Sequence, residues 1–292
     1  MKTTLLKLTA TCALAFAMAS GAQAQILAND PFLTGGSGYT VGGVSGQNPT
    51  VTGFNGAWGN VDGPGGTISS TPISYTAPTG YVETSGAGTL SQGNDYRSFR
   101  AFSSGVTSAF GATSGTLYIS FELQLAGGVS GYQAAEISTT PDGYRFLQVG
   151  YSSAGDFANT TDFGITVNNT ANGTTTGTFG AADSNAHLFV LQLNLASGAN
   201  DTLNAWEDPT SLAGSAPTGG NEVSLSGFSV NGAINEFSLG SFIGSGSMDT
   251  ELSEVRMGDT LADVAAVPEP SVAHLALLGF GALFLIRRRM IA

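Results

Sequence analysis

Large apolar residues and polar residues alternate along most of the central part of the chain. The clearest stretch runs from Thr116 to Leu125, where every second residue is Leu, Ile or Phe and those between are Tyr, Ser, Glu and Gln. This period predicts a strand with one buried face and one polar face. Shorter stretches of similar character follow, separated by Gly, Asn, Asp, Ser and Thr: residues 144–151, 163–168, 187–195, 202–207, 222–230, 236–242 and 253–257.

Turn residues support the same interpretation. Asp142-Gly143 and Asn231-Gly232 are typical turn dipeptides, and no apolar stretch of helical period exceeds three turns between residues 25 and 266. The low-complexity stretch from Asn168 to Gly177 predicts an exposed loop. Together these features predict an all-β fold, a single antiparallel two-sheet β-sandwich over residues 25–261, followed by a linker at 262–266.

The N-terminal end has a different pattern. Residues 1–24 combine two lysines, a short apolar run and a closing Ala-Gln-Ala, with Gln25 next in the chain. This is the pattern of a secretory signal peptide cleaved between Ala24 and Gln25, and it implies export through the Sec translocon. The chain's one cysteine, Cys12, lies inside this segment, so the mature domain is expected to contain no thiol and no disulfide.

The C-terminal end, residues 267–292, has three parts in series. Pro268-Glu269-Pro270 precedes an uncharged apolar run, Val272 to Ile286, and three arginines, Arg287, Arg288 and Arg289, follow. As a helix the run would rise about 22 Å, and snorkelling arginines would help it span a hydrocarbon core of about 30 Å. The arginines predict a cytoplasmic C-terminus, with the preceding domain across the membrane.

This tripartite tail resembles the PEP-CTERM sorting signal of Gram-negative bacteria. The resemblance implies that an exosortase, a membrane-embedded cysteine transpeptidase, recognises Pro268, Glu269 and Pro270. It also implies a membrane-anchored precursor whose processed form is released or attached at the cell surface, often beside exopolysaccharide production. The alternative is a plain tail anchor behind a Pro-rich hinge.

The central domain is itself similar to the concanavalin A-like (laminin G-like) jelly-roll domains that often precede such tails. Six segments carry the similarity: Leu-Ala-Asn-Asp-Pro-Phe (27–32), Gly-Phe-Asn-Gly-Ala-Trp (53–58), Ser-Gly-Thr-Leu-Tyr-Ile-Ser-Phe (114–121), His-Leu-Phe-Val-Leu (187–191), the region around Trp206 (201–209) and Glu-Val-Arg-Met-Gly (254–258). The resemblance implies a jelly roll that frequently displays a carbohydrate-binding face or rim. It does not identify the ligand.

Charge narrows the choice of partner. Only 10% of the 292 residues are charged, against about 25% in an average soluble domain. The mature domain holds four arginines, no lysine and 20 acidic residues. Its negative charge excludes nucleic acid on electrostatic grounds and disfavours anionic lipid and acidic polymers. Three alternatives remain open for the negative charge: solubility outside the cell, tolerance of divalent cations, or contact with a neutral polysaccharide. The oligomeric state is left open.

Catalytic and metal-binding patterns are sparse. His187, the one histidine of the mature domain, begins an apolar strand and is expected to be a core histidine rather than a general base. No set of ligands for zinc is present. Calcium is left open at three oxygen-rich pairs, Asn94-Asp95, Asn200-Asp201 and Glu207-Asp208.

Glycoside hydrolysis would need two carboxylates beside the scissile bond. Asp249, Glu251 and Glu254 are the nearest approach, but on a regular strand Glu254 would point away from the other two. We therefore expect no catalytic residue and no enzyme, but a surface or matrix protein for which glycan binding is one candidate role. Trp58 and Trp206 are candidate glycan contacts, but core packing is the favoured role for both. The competing hypothesis is a glycoside hydrolase or polysaccharide lyase on the same fold.

Overall fold

The computed structural model describes residues 25–61, 63, 65–93, 96–139, 145–169, 173–197, 200–230, 234–242 and 249–265. The predicted signal peptide up to Ala24, the sorting motif, the apolar run and the arginine cluster lie outside these residues, as does Asn94-Asp95. Within the described residues, no helix has the length and apolar character needed to cross a membrane.

The described part of the chain is almost entirely β-structure. Its strands are β1 (Ile26–Asp30), β2 (Gly42–Gly43), β3 (Phe54–Val61), β4 (Thr67–Ser69), β5 (Thr89–Gln92), β6 (Tyr96–Phe102), β7 (Gly115–Leu125), β8 (Tyr132–Ser138), β9 (Arg145–Ser152), β10 (Asp162–Asn169), β11 (Gly173–Ala181), β12 (Ala186–Leu195), β13 (Asp201–Glu207), β14 (Asn221–Phe228), β15 (Glu236–Phe242) and β16 (Thr250–Gly258). Its two short helices are α1 (Ser104–Phe110) and α2 (Leu261–Ala265).

These strands form two antiparallel sheets. In the described residues, one sheet has nine strands in the order β14-β13-β12-β7-β16-β5-β4-β2, with β1 also paired to β16. The other has seven strands in the order β11-β10-β9-β8-β15-β6-β3. The two sheets pack as a sandwich, so the fold class expected from the alternating pattern is confirmed.

The main core lies between the sheets and is built from the apolar positions of that pattern. On β7 the buried set includes Ile119, Phe121 and Leu123, and β12 places Phe189 beside Phe121 with ring centroids 5.7 Å apart. Each such side chain contributes roughly 2 kcal/mol through burial of apolar area. The polar positions of the same strands, Glu122 among them, therefore point to the outer face of the nine-stranded sheet.

Two segments differ from the sequence-based expectation. The stretch 168–177, predicted to be an exposed loop, contains the start of β11, which pairs with β10 from Gly173 onward. Residues 261–265, predicted as domain end and linker, form helix α2, whose Leu261 and Val264 are buried. In both cases tertiary contacts supply the stabilisation that local composition does not indicate, because strand pairing and docking act over long sequence separations.

Candidate functional site

The outer face of the nine-stranded sheet carries a second, smaller hydrophobic core. It is formed by Tyr81, Tyr118, Leu188, Val190, Leu212, Leu261, Val264 and Ala265. A segment that we call the covering segment, residues 72–87, lies over this face. It is held by Leu212 N donating to Thr79 O (2.7 Å) and Val82 N donating to Ala265 O (2.8 Å).

A cavity of about 210 Å³ lies between the covering segment and strands β7 and β16. We call it the Glu122 cavity. It is lined by Pro72, Ile73, Glu83, Thr84, Ser85, Gly86, Ala87, Glu122, Ser253 and Glu254. Glu83, Ser85 and Gly86 are exposed, so the cavity communicates with solvent.

A β-bulge in β16 creates one wall of this cavity. The register of β16 against β7 shifts between Ser253 and Arg256, which adds one residue to β16. Glu254 has a φ of 53°, in the left-handed region that glycine normally occupies in a bulge. The strained backbone brings Glu254 into the cavity wall beside Ser253, whereas a regular strand would send adjacent side chains to opposite faces.

The carboxylate of Glu254 is fully engaged by its neighbours. Its Oε1 accepts a hydrogen bond from Thr84 N (2.5 Å), and its Oε2 accepts from Thr84 Oγ1 (3.0 Å) and from Arg256 Nη2 (2.6 Å). Arg256 also donates to Val82 O (2.7 Å) and lies over the Tyr81 ring at 4.8 Å. This ion pair therefore joins β16 to the covering segment, and it neutralises the charge of Glu254.

Glu122 differs from Glu254 in its hydrogen bonding and in its protonation. The residue is 2% exposed, and its buried Oε1 makes no hydrogen bond of normal geometry. Burial, followed by the negative charges of Glu254 and Glu83, raises the pKa of Glu122 to about 8, although the nearby Tyr81 hydroxyl acts in the opposite direction. At neutral pH the wall of the cavity therefore includes a protonated carboxyl group, whose buried Oε1 lies near the Tyr81 hydroxyl.

A second cluster of acidic residues surrounds His187, at the start of β12. We call His187, Asp183, Glu207 and Asp208 the His187 cluster. The Nδ1 atom of His187 lies 2.8 Å from Asp208 Oδ2 and 3.2 Å from Glu207 Oε1, and its Nε2 atom lies 3.0 Å from Asp183 Oδ1. Other oxygens of these carboxylates bind backbone or amide donors, such as Leu188 N on Asp208 Oδ1.

The charge state of His187 follows from this arrangement. Burial alone would lower its pKa, but hydrogen bonds to Asp208 and Asp183 and the charge of Glu207 raise the pKa to about 9. The ring is therefore an imidazolium at neutral pH and donates from both nitrogens. His187, Glu207 and Asp208 could together offer three ligand atoms to a metal ion. Ligation would require a neutral imidazole, which the raised pKa of His187 disfavours.

The other calcium candidate inside the described residues is Asn200-Asp201. Asp201 Oδ1 accepts a hydrogen bond from Ala196 N (2.7 Å), and its Oδ2 accepts from Val230 N (2.6 Å). Its carboxylate therefore fixes the ends of two neighbouring turns.

A third polar cluster lies on the outer face of the seven-stranded sheet. Glu136 accepts hydrogen bonds from Tyr132 Oη (2.6 Å) and Ser238 Oγ (3.0 Å), and its carboxylate pairs with Arg97 Nε at 2.8 Å. Arg145 lies 3.4 Å from the same carboxylate. Glu136, Tyr132 and Ser238 are buried, and both oxygens of Glu136 have a partner. This cluster ties β6, β8 and β15 together.

The two tryptophans named as candidate glycan contacts are buried in the protein interior. Trp58 is 2% exposed, and its Nε1 donates to Tyr39 Oη (2.7 Å) within the main core. Trp206 is 4% exposed. A sugar ring could stack on either indole only if the surrounding side chains moved, which is the arrangement expected for core residues.

The carboxylates considered for hydrolysis have different surroundings. Glu251 accepts a hydrogen bond from Ser91 Oγ (3.3 Å), whereas Glu254 lines the cavity because of the bulge. Glu122, which sequence reasoning did not single out, is the other deeply buried carboxylate there. It occupies a polar position of the most regular predicted strand, and such positions ordinarily face water. The sequence carries no local sign that a distant segment covers this part of the sheet.

The last described element, helix α2, directly precedes the C-terminal tail in the sequence. Helix α2 is held by Ser120 Oγ donating to Val264 O (2.9 Å) and by Val82 N donating to Ala265 O. Asp263 Oδ2 accepts hydrogen bonds from Thr260 N and Thr260 Oγ1, which fix the start of the helix. Ala265 is therefore a packed residue, and the described chain ends there.

Comparison with known proteins identifies the tail. Residues 266–289 match the family described as the PEP-CTERM protein-sorting motif. No curated protein matches the chain significantly in sequence. The chain therefore carries the sorting signal whose presence the Pro-Glu-Pro motif, apolar run and arginines indicated.

Solved structures resemble the sandwich at low sequence identity. An endo-β-1,4-glucuronan lyase from the fungus Trichoderma reesei has 16% identity and a TM-score of 0.43, with 68% of this chain and 89% of that chain covered. The binding domain of botulinum neurotoxin serotype C1 has 8% identity and a TM-score of 0.44, with 75% and 48% covered. This chain thus spans about half the length of the neurotoxin structure.

Proposed function

We propose that this chain is exported and then processed at its sorting signal, which leaves the β-sandwich at the cell surface or free outside the cell. One observation carries the proposal: the matched sorting motif occupies residues 266–289, directly after Ala265, whose carbonyl oxygen accepts a hydrogen bond from Val82 N of the sandwich. Cleavage within the tail would leave intact every contact described for residues 25–265. The matched signal follows the sandwich in the sequence, as the substrate of a sorting peptidase requires.

The tail chemistry supports an exosortase as the processing partner. Pro268 and Pro270 each fix φ near −65° and disfavour the helical region for the preceding residue. Both effects favour an extended backbone, the form in which a peptidase cleft binds a substrate. The Sec translocon is the corresponding partner for the N-terminal signal that ends at Ala24.

The test replaces both prolines, Pro268→Ala with Pro270→Ala, in the full chain expressed in a host that has an exosortase. The N-terminal signal is unchanged, so export and cleavage before Gln25 should proceed. The C-terminal tail should remain attached and the protein should stay in the membrane fraction, as measured by mass spectrometry of intact protein from each fraction. Pro72→Ala, at an exposed proline of the covering segment, is the matched control and should be processed normally.

Processing of the double variant at the parent rate would contradict the sorting proposal. Retention of the N-terminal signal in the double variant would contradict it as well, because the defect would then lie in export.

The sandwich itself is proposed to be a non-catalytic glycan-binding domain. Its four arginines against 20 acidic residues favour uncharged over anionic polymers. Glycoside hydrolysis needs a carboxylic acid and a second, available carboxylate. Glu122 has the protonation state of an acid, but Glu254 is bound by Arg256 and Thr84 and is not available as a base or nucleophile.

Activity assays test this part directly. The exported protein should release no reducing ends and no unsaturated products from neutral or acidic polysaccharides, yet be retarded on an affinity gel that contains a neutral polysaccharide. Turnover that disappears in the Glu122→Gln variant would establish the alternative, a glycan-active enzyme, and would overturn the non-catalytic assignment.

A further inference from the structure

We propose that the Glu122 cavity binds a single uncharged sugar unit of a glycan, with the carboxyl group of Glu122 hydrogen-bonded to a sugar hydroxyl. The proposal rests on the glycan-binding function above and adds to it a site and a ligand class. It assigns binding to a place other than the two buried tryptophans.

The size of the cavity sets the first limit on its ligand. A volume of about 210 Å³ corresponds to roughly seven water molecules at liquid density. That is the scale of one pyranose ring with its hydroxyl groups, and it is too small for a polymer chain to pass through. The exposed residues Ser85 and Gly86 on the covering segment leave an opening through which one end or one branch of a glycan could enter.

The charges of the wall set the second limit. An anionic ligand would face Glu83 and Glu254, and the cation beside them, Arg256, is already paired with Glu254 at 2.6 Å. A metal ion would need several free oxygen ligands, yet the Glu254 carboxylate is saturated by Arg256 and Thr84. An uncharged ligand meets neither obstacle.

The polar groups of the wall set the third limit. Glu122 Oε1 and the nearby Tyr81 Oη are both buried without a hydrogen bond of normal geometry, and the Glu122 carboxyl group lies at the cavity wall, where a ligand hydroxyl could add a hydrogen bond to it. Hydroxyl groups are suited to this position because each can both donate and accept. The cavity lining also includes Pro72, Ile73 and Ala87, against which the C–H face of a sugar ring can pack. A polyhydroxylated, partly apolar ligand matches both kinds of lining.

The test uses the full chain purified in a detergent that has no sugar headgroup. Glucose, galactose, mannose and N-acetylglucosamine are titrated separately and binding is followed by saturation-transfer NMR. At least one of them should bind, with a Kd on the order of 1 mM. Glu122→Gln, which keeps shape and hydrogen-bonding capacity, should hold the Kd within about threefold, whereas Glu122→Leu should raise it about tenfold or more.

A second variant guards against a folding defect at the buried position. Ser85→Trp places a bulky ring on an exposed residue of the cavity lining and should also raise the Kd about tenfold or more. Glu222→Gln and Ser226→Trp are matched controls at exposed positions of β14, outside the cavity, and should bind like the parent.

Three results would overturn the assignment. Loss of binding in Glu122→Gln, combined with binding of calcium or of glucosamine, would identify a cation site. Sugar binding that neither Glu122→Leu nor Ser85→Trp changes would leave the glycan-binding function intact and place the site elsewhere. Absence of binding to all four sugars, with no retention on neutral polysaccharide gels, would reject the glycan-binding function together with the site.

Discussion

The His187 cluster and the Glu122 cavity are both acidic, and both lie against the nine-stranded sheet, but they differ in what balances their carboxylates. In the His187 cluster an imidazolium donates to Asp208 and Asp183 and faces Glu207 at 3.2 Å. In the Glu122 cavity Arg256 neutralises Glu254 alone, and Glu122 remains protonated with one oxygen unpaired.

This difference separates a structural cluster from the proposed binding site. Each region contains a non-glycine residue with positive φ, Asp208 at 48° and Glu254 at 53°, so backbone strain by itself does not distinguish them. The two regions differ in their counter-charge. In the His187 cluster the imidazolium contacts all three carboxylates, whereas Glu122 is a buried acid beside a cavity and has no cation of its own. The cavity beside a buried carboxyl group is the feature on which the ligand proposal rests.

The largest expected effect comes from the ion pair that closes the cavity. Glu254→Ala leaves the buried guanidinium of Arg256 without its anion and should lower the free energy of unfolding by about 4 kcal/mol. Glu254→Gly loses the same pair but relieves the positive φ, so it should be about 1 kcal/mol less damaging. Urea unfolding of the exported protein measures both. Equal losses would show that the bulge is not strained.

The next prediction concerns Glu122, whose substitution by Gln is expected to raise the free energy of unfolding rather than lower it. Its pKa is 4.5 in an unfolded chain and about 8 in the native protein, so the native state holds a proton that the unfolded state releases. The stability of the parent should therefore fall as pH rises from 4.5 to 8 and level off above that. Glu122→Gln should be more stable than the parent by about 3 kcal/mol near pH 8 and similar to it near pH 4.

Chemical unfolding across this pH range checks the expectation for Glu122. A Glu122→Gln variant that is less stable than the parent at pH 8 would mean that the carboxyl group is already satisfied, which would weaken the contrast with the His187 cluster.

The smallest effect concerns His187. Because its pKa rises from 6.5 to about 9 on folding, its stabilisation is complete below pH 6.5 and is lost as pH rises through 9. His187→Gln should be less stable than the parent by about 2 kcal/mol at pH 6, allowing for solvent screening at the half-exposed Asp183 and Asp208. Urea unfolding at both ends of the range should show the gap closing near pH 10. A pH-independent gap would assign the role of His187 to packing alone.

Much of the architecture could be predicted from local pattern. The alternation from Thr116 to Leu125 matched β7, and residues 236–242 matched β15 at both ends. The segments at 42–43 and 67–69 carry no comparable signal, since such short strands depend on their neighbours for pairing. The sorting tail was recognisable because its three parts are contiguous in the chain.

The candidate site was not recognisable in the same way. Glu122 and Glu254 lie on neighbouring strands but are far apart in sequence, and Glu83 reaches them only because the covering segment crosses the sheet face. The bulge between Ser253 and Arg256 also changes which way Glu254 points, so the strict alternation used in the sequence argument did not hold there.

The sequence by itself thus determined the all-β class and the sorting signal, because side-chain periodicity and a contiguous motif are local properties. Only the tertiary structure decided which polar residues are buried, that His187 meets three carboxylates and that Glu122 keeps an oxygen without a hydrogen bond. Burial, counter-charge and hydrogen-bond satisfaction depend on which surfaces are brought together across the sheets, and those are the quantities that set the protonation state of an acid.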